Sequence, residues 1–416
     1  MKEKKKDTLW TRDFTIITVG SVISMFGNSL SGFAMSLMVL DYTGSSLYYA
    51  LYIVLFTVPQ VVMPIVGGAI LDRFSRKKTI YMLDFISAGL YLLAGLLLGR
   101  GLFSYPLFAF YSLLIGSINS VYYVAFDSLY PMLITEGNYQ RAYSIASVLE
   151  TLSALMVPVS AFIYNSLGIA PLMIVNSVCF LSAALMETRI QAEEKYIDER
   201  ASEGEELGRG KRFFTDIREG MIYLISEKGL LAIAIYFVFS AVSQGAGQVI
   251  TLPYFKSTYP NGEYIYMMVW GMAVLGRAIG GLVHYRFKIP ARYRYGIALF
   301  VYVFTSLAEG LYLYLPIPVM QILCFMSGIL GVTSYTIRIS ATQKYVPDGK
   351  KGRFNGAFVM LNHVGMLTAE LLAGALGTVY DQRHVITGFL LLNALAAVVV
   401  IGGSRREVEK IYNVTE

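Results

Sequence analysis

Long apolar stretches follow one another along nearly the whole chain, and they restrict the possible folds more than any other feature. A helix that crosses a membrane needs about 20 predominantly apolar residues. Soluble-core helices can imitate one or two such stretches, but not twelve in series. The sequence therefore predicts an all-α integral membrane protein with twelve transmembrane helices, approximately at residues 14–40, 47–71, 79–99, 106–134, 142–166, 171–187, 229–255, 264–284, 295–315, 317–340, 354–377 and 385–402.

The composition agrees with a chain that lies in lipid. Hydrophobic residues make up 56% of the sequence and charged residues only 15%, whereas soluble proteins carry about 25% charged residues. Cys179 and Cys324 both lie inside apolar stretches, and no metal-ligand spacing occurs. We therefore expect no disulfide framework, no metal, no cofactor and no nucleic-acid partner. The basic start leads directly into the first span, without the cleavage site of a removable signal peptide.

The positions of the cationic residues predict how the spans are oriented. If the N-terminus is cytoplasmic, the outward loops hold only Arg100, Lys256 and Arg383, and the spans hold only Arg277 and Arg338. All other Lys and Arg residues, from a total of 34, lie on the inner side. This distribution follows the positive-inside rule along the whole chain. It predicts a multi-pass protein of the plasma membrane with both termini in the cytoplasm, most simply a monomer.

One long polar interval, residues 188–228, divides the spans six and six. We predict an N-terminal six-helix bundle at 1–187, a cytoplasmic linker at 188–228 with an amphipathic interfacial helix, and a C-terminal six-helix bundle at 229–416. The two halves also resemble each other. Gly68 precedes Asp72 by four residues after the second span, and Gly281 precedes Tyr285 by four residues after the eighth. Such matched repeats indicate two pseudo-symmetric halves.

The loop after span two carries the pattern G-x-x-x-D-R-x-x-R-K, from Gly68 to Lys77. This pattern resembles the signature loop of the major facilitator superfamily, and the resemblance extends over the full length of the chain. Ser75 stands where the family usually has glycine. The stretches LDRFSRKK and FTDIREGMIYL look most like the macrolide-efflux-type branch of drug exporters. The resemblance implies two bundles that move around a central site, and a cytoplasmic gate built from the signature loop.

The predicted gate combines that loop with charges near the inner ends of the spans. The carboxylate of Asp72 suits a helix N-terminus, and the cations of the loop suit acids at nearby helix ends. Simple anchoring of span two by its cations is the alternative. The gate residues that we predict are Gly68, Asp72, Arg73, Arg76, Lys77, Asp84, Asp127 and Arg338.

Charged and polar residues inside the spans are the candidates for substrate and proton binding. Glu150, about eight residues into span five, and His363, near mid-depth in span eleven, are the predicted proton-coupling residues. The alternative for each is a structural role, such as a hydrogen bond to a neighbouring helix. Small polar groups in the first span of each half, two tyrosines of span four and two residues of later spans are predicted to line the substrate cavity: Asn28, Ser31, Tyr122, Tyr123, Gln244, Gln248, Arg277 and Asn362.

These features predict a secondary transporter that works by alternating access, with a small molecule and protons as its partners. The branch resemblance implies proton-coupled efflux of amphipathic or drug-like molecules. Pro158 lies in span five without the glycines that drug antiporters often carry there, so an uptake symporter driven by protons or sodium is the alternative. A membrane protein that binds ligands without transporting them is a third. The sequence contains no Walker pattern and no hydrolase constellation, so we expect no enzyme.

Overall fold

The protein is described here from a computed structural model. It describes residues 8–71, 75–135, 138, 142, 145, 156–192, 194, 209–286 and 289–413, without the side chains of 64–71, 209–217, 285, 286, 343, 348, 349, 351 and 352. In this part of the chain the regular structure is helical, and it contains no β-strand. The helices of the first half are α1 (Arg12–Thr43), α2 (Ser46–Leu71), α3 (Arg76–Gly99), α4 (Tyr105–Leu129), α5 (Met156–Leu167) and α6 (Ile169–Glu187).

The second half repeats this pattern after one helix in the predicted linker. That helix is α7 (Arg209–Ser226). The remaining helices are α8 (Lys228–Thr258), α9 (Gly262–Arg286), α10 (Arg294–Leu311), α11 (Ile317–Tyr345), α12 (Asp348–Val379), α13 (Gln382–Ala396) and α14 (Arg405–Tyr412). Short 3₁₀ turns occur at Tyr130–Leu133, Ala291–Tyr293 and Tyr312–Tyr314, and a π-helical turn at Ala397–Gly402 continues α13.

Eleven helices in the described ranges are long and apolar enough to cross a membrane. They correspond to the predicted spans one to four, six, and seven to twelve. Span five is represented by α5, a shorter apolar helix of 12 residues, because residues 146–155 lie outside the description. The predicted class, an all-helical membrane protein, is confirmed.

Local sequence signals explain where several helices begin and end. Thr11 is the N-cap of α1, and its hydroxyl accepts a hydrogen bond from the Phe14 amide over 3.2 Å. Gly44 ends the same helix with φ 60°, a left-handed conformation that glycine adopts without strain. Ser75 is the N-cap of α3 and accepts from the Lys78 amide. Polar caps thus set the ends of otherwise uniformly apolar segments.

The chain divides into two compact units, each described by itself. The first unit comprises Met1–Gly44 and Leu55–Gly210, and the second comprises Ser45–Val54 and Lys211–Glu416. The division after Gly210 falls inside the predicted linker. In the first unit, α6 packs against α1 and α3, and α3 also packs against α4. The apolar core of this unit lies near the N-terminal ends of α1 and α3, around Phe14, Ile80 and Leu129.

In the second unit, α8 packs on α12, and α9 packs on α11. Its core gathers residues from α8, α10, α11 and α12, and also from the C-terminal helix α14, whose Tyr412 is fully buried. The helix α7 packs against the start of α12, where Glu219 forms a 2.6 Å ion pair with Arg353. The first turns of α2 belong to this unit as well, because Gln382 donates a 2.9 Å hydrogen bond to the Ser46 hydroxyl.

Candidate functional site

A small cleft with about 50 Å³ of free space lies among α1, α3, α4 and α6 of the first unit. Its lining combines hydroxyl, amide and carboxyl groups with aromatic rings. The lining residues are Ser21, Ser24, Met25, Asn28, Asp84, Ser87, Ile118, Asn119, Tyr122, Tyr123, Phe126 and Phe180. The predicted cavity residues Asn28, Tyr122 and Tyr123 therefore lie together, and the cleft is the candidate substrate site.

Hydrogen bonds between helices hold the wall of the cleft. The Tyr91 hydroxyl of α3 donates to Asn28 Oδ1 of α1 over 3.0 Å. One turn further along α1, the Ser31 hydroxyl accepts a 2.6 Å bond from Asn176 Nδ2 of α6. Both Ser31 and Asn176 are fully buried. Ser31 thus joins two helices and does not line the cleft, which is the ordinary role of small polar residues inside membrane bundles.

Two acidic side chains lie together beside the cleft, and one of them, Asp84, belongs to its lining. Asp84 of α3 and Glu187, the last residue of α6, are each 1% exposed, and their carboxyl groups lie within hydrogen-bond reach of each other. Glu187 reaches this position past Gly20 of α1, because a Cβ at position 20 would lie 2.8 Å from Glu187 Oε1. In the described residues, no donor bonds Asp84 Oδ2 or either oxygen of Glu187.

Hydroxyl groups surround this acid pair. The Tyr122 hydroxyl lies near Ser21 and Ser24 of α1, and it interacts electrostatically with both carboxyl groups. The Tyr122 and Ser21 hydroxyl oxygens are both buried. Buried polar groups in proteins usually have a hydrogen-bond partner, either another protein group or an ordered water. Asp84, Glu187 and these hydroxyls together offer oxygen atoms of the kind that can bind a proton or a cation.

The cytoplasmic gate predicted from the signature loop is only partly within the description. Asp72 and Arg73 lie outside the described residues, and for Gly68 only the helical backbone of α2 is described. Arg76 and Lys77 begin α3. Arg76 Nη1 donates to the Ser128 carbonyl over 3.2 Å, and Lys77 Nζ donates to the Ala192 carbonyl over 2.9 Å.

Glu194, which the sequence did not single out, binds the N-terminal end of α3. Glu194 accepts hydrogen bonds from the Ser75 hydroxyl and from the Arg76 amide, the latter over 2.7 Å. A carboxylate at a helix N-terminus is favoured by the partial positive charge there. Asp84, predicted for the gate, lies about 12 Å further along α3 and faces Glu187, while Asp127 of α4 is exposed. The gate as a whole stays a prediction.

Arg338, also predicted for the gate, lies in an aromatic cage of the second unit. Its guanidinium carbon is 4.8 Å from the Phe358 ring centroid of α12 and 4.9 Å from that of Phe237 of α8. Tyr335, one turn earlier on α11, lies 5.5 Å away. A guanidinium between aromatic faces gains cation–π attraction that partly replaces hydration. Arg338 thus joins three helices of this unit.

The other predicted residues of the second unit do not form one cluster in the described contacts. Gln244 and Gln248 are exposed on α8, and Gln244 donates to the Ser240 hydroxyl over 3.3 Å. Arg277 is exposed on α9 beside Trp270. Two further residues bond their own helix: Asn362 donates to the Phe358 carbonyl, and His363 Nδ1 lies 2.9 Å from the Val359 carbonyl.

The two predicted proton-coupling residues, Glu150 and His363, therefore do not form a site in the described part of the chain. Glu150 lies outside the described residues. The acid that the structure does bring to the cleft, Glu187, was not singled out from the sequence. Its position at the boundary between an apolar span and a polar linker is typical of an acid in water at the membrane surface. Only the approach of α6 to α1 at Gly20 reveals that the side chain is buried.

Comparisons with known proteins agree with this architecture. The profile of the Major Facilitator Superfamily matches residues 17–369. The MFS-type transporter YkuC of Bacillus subtilis is 23% identical over 318 residues, 72% of this chain and 73% of the relative. Macrolide efflux protein A of Streptococcus pyogenes is 22% identical over 285 residues. The match covers 66% of this chain and 66% of the relative, slightly less than two thirds of each. A mutant of the nucleoside transporter NupG superposes with a TM-score of 0.63 at 12% identity, over 95% of this chain and 98% of its own.

Proposed function

The chain belongs to the major facilitator superfamily of membrane transporters, and from this premise we propose that it exports amphipathic small molecules in exchange for protons. Secondary transport follows from the family, and no structural feature described above calls for another source of energy. The direction of transport, its coupling to protons and the class of substrate are our proposals for this chain. We further propose that the protein lies in the plasma membrane with both termini in the cytoplasm, as the cationic residues indicate.

The lining of the cleft in the first unit is the observation that carries the proposed substrate class. Tyr123, which is 59% exposed, lines the cleft, and the rings of Phe126 and Phe180 add apolar surface to it. Asn28 and Asn119 add groups that can both donate and accept hydrogen bonds. Sites with mostly apolar walls and a few polar groups bind amphipathic molecules, because the rings take the apolar part and the amides orient the rest.

The relatives support export in one respect. One of them is named a macrolide efflux protein, and a macrolide is a large amphipathic molecule. The nucleoside transporter supports the fold alone, since it shares only 12% of its residues with this chain. Proton coupling needs a titratable group whose access to water changes during transport. Glu150 and His363 remain the candidates that the sequence proposes for that role.

Transport in liposomes tests the proposed function directly. Purified protein is reconstituted, a pH gradient is imposed, and the movement of radiolabelled erythromycin, ethidium and uridine is followed. We expect gradient-driven movement of erythromycin or ethidium that stops when an ionophore abolishes the gradient, and none of uridine. Accumulation of uridine together with protons would replace export by uptake. Movement of none of the three would contradict the proposal.

A matched pair of tyrosines tests whether the cleft is the binding site. Tyr123→Ala removes an aromatic ring from the cleft. Tyr42→Ala removes a ring of similar exposure, 55%, which packs on Phe103 at the opposite end of the bundle. If the cleft binds the substrate, the first variant raises the half-saturating concentration of the transported probe several-fold and the second leaves it unchanged. Equal effects of the two variants would exclude the cleft as the site.

A further inference from the structure

We propose that Asp84 and Glu187 form a proton-binding site in which one exchangeable proton is shared between the two carboxyl groups. The transport role of this site rests on the proposed function, and the pair would be the place where the coupled proton is carried. The two side chains come from different helices, α3 and α6, and meet beside the cleft.

A proton between the two acids would explain why two buried carboxyl groups lie so close together. Ionised carboxylates only accept hydrogen bonds, yet the carboxyl groups of Asp84 and Glu187 lie within hydrogen-bond reach of each other. No Lys, Arg or His side chain bonds Asp84 Oδ2 or either oxygen of Glu187 in the described ranges. Two adjacent buried charges of the same sign without a cation are strongly unfavourable. One shared proton removes one charge and turns the contact into a hydrogen bond.

The surroundings of the pair are neutral on every described helix that packs against it. The helix α1 presents Gly20, Ser21 and Ser24, and α4 presents Tyr122. The helix α5, which packs on α1 and α6, has one titratable residue in its described segment, Tyr164, and its hydroxyl bonds Asp41 near the other end of α1. The buried hydroxyls of Tyr122 and Ser21 lie near each other, and both residues line the cleft together with Asp84.

The cleft supplies the route for the proton. Asp84 lines the cleft, so a water molecule that enters it can take the proton from the pair or return it. No other bond forms or breaks. Release leaves two negative charges in a buried position, which costs free energy unless water or a cation reaches them. Proton loss is therefore tied to how open the cleft is.

Infrared spectroscopy of the full-length protein in liposomes tests the shared proton without any substrate. Protonated carboxyl groups have a C=O absorption that ionised groups lack. We expect the wild-type protein to show a band that titrates with pH and that both Asp84→Asn and Glu187→Gln abolish, because the amide of either variant donates to the remaining, ionised carboxylate. The double variant must lose no more absorption than either single variant, since the two acids hold one proton.

Controls separate this outcome from misfolding and from other acids. Glu370→Gln removes another fully buried carboxyl group, which lies in the second unit, and the titrating band of the pair should persist. Each variant is also checked by its thermal unfolding temperature, and we expect the amide variants to stay within a few degrees of the wild type. The shared proton would be contradicted if the double variant lost twice as much carboxyl absorption as a single variant. An unchanged band in either single variant would contradict it as well.

Sodium is the other cation that such oxygen atoms can bind. Replacing potassium by sodium at constant pH and ionic strength should leave the band unchanged, and its loss on addition of sodium would assign the site to sodium instead. The transport assay then separates the two proposals. If the wild type moves no probe while the band behaves as expected, the proposed function fails and the proton site stands. If gradient-driven transport occurs and neither variant alters it, the pair has no coupling role.

Discussion

The hydroxyl groups of Tyr302 and Tyr412 lie 2.8 Å apart and join α10 to the C-terminal helix α14. Both side chains are almost fully buried, and the ring of Tyr302 stacks on Tyr236 of α8 at a centroid distance of 4.3 Å. A helix of only eight residues is too short to be stable alone. The short helix α14 is therefore held by its contacts with the second unit.

We expect Tyr412→Phe and Tyr302→Phe each to destabilise the protein by about 1 kcal/mol, because each leaves one buried hydroxyl without its partner. The loss of stability in the double variant should be smaller than the sum of the losses in the two single variants, since the double variant removes both hydroxyls of one hydrogen bond. Thermal unfolding of the purified protein in detergent measures these changes. Tyr380→Phe, which removes a hydroxyl from a side chain that is 61% exposed, is the control and should be neutral. Additive losses would show that the two hydroxyls act independently.

Ser31 and Asn28 should differ in what they do, although both are polar residues of α1. Ser31→Ala leaves the Asn176 amide without its partner inside the bundle, so we expect a loss of about 0.6–2 kcal/mol in stability. The half-saturating concentration of a transported probe should not change. Asn28→Ala should change that concentration, because Asn28 lines the cleft. A large shift in the half-saturating concentration for Ser31→Ala, at unchanged stability, would contradict this division of roles.

The contact between α9 and α11 depends on glycine at the crossing point. A Cβ at Gly328 would lie 2.2 Å from the Ala273 carbonyl oxygen, and one at Gly276 would lie 2.1 Å from that of Phe325. Gly328→Ala must push the two helices apart, and we expect a destabilisation of about 1–3 kcal/mol. Gly331→Ala is the matched control on the same helix, since nothing lies within 4 Å of its added Cβ. Its higher helix propensity should leave stability unchanged or raise it. Equal unfolding temperatures for the two variants would refute the close crossing.

Arg338→Lys should destabilise the protein more than the same exchange at Arg353. The planar guanidinium of Arg338 stacks against two rings, and the compact, strongly hydrated ammonium of lysine cannot do so equally well. We expect a loss of about 1 kcal/mol. Arg353 pairs with Glu219 where both side chains are almost half exposed, and such pairs contribute about 0–1 kcal/mol. Arg353→Lys should therefore be nearly neutral. Unfolding temperatures of the two variants provide the comparison, and a greater loss at Arg353 would contradict it.

Part of the candidate site was predictable because it depends on position along the spans. Asn28 of span one and Tyr122 and Tyr123 of span four line one cleft, because the depth of a residue in a helix follows from its distance from the helix ends, and their contact with a substrate stays a prediction. Ser31 has the same depth, yet its hydroxyl points to Asn176 and away from the cleft. Depth alone does not say which way a side chain faces when apolar residues surround the whole helix.

The sequence by itself determined the class of the fold and the approximate positions of the spans, since the length of an apolar stretch is a local property and the membrane imposes a fixed thickness. Only the tertiary structure decided that Asp84 meets Glu187. The two residues are 103 positions apart, and nothing along the chain indicates that α6 approaches α1 closely enough at Gly20 to bury its last residue. Whether an acid at a helix end is solvated or buried depends on the packing of neighbouring helices, and that packing is a property of the folded bundle.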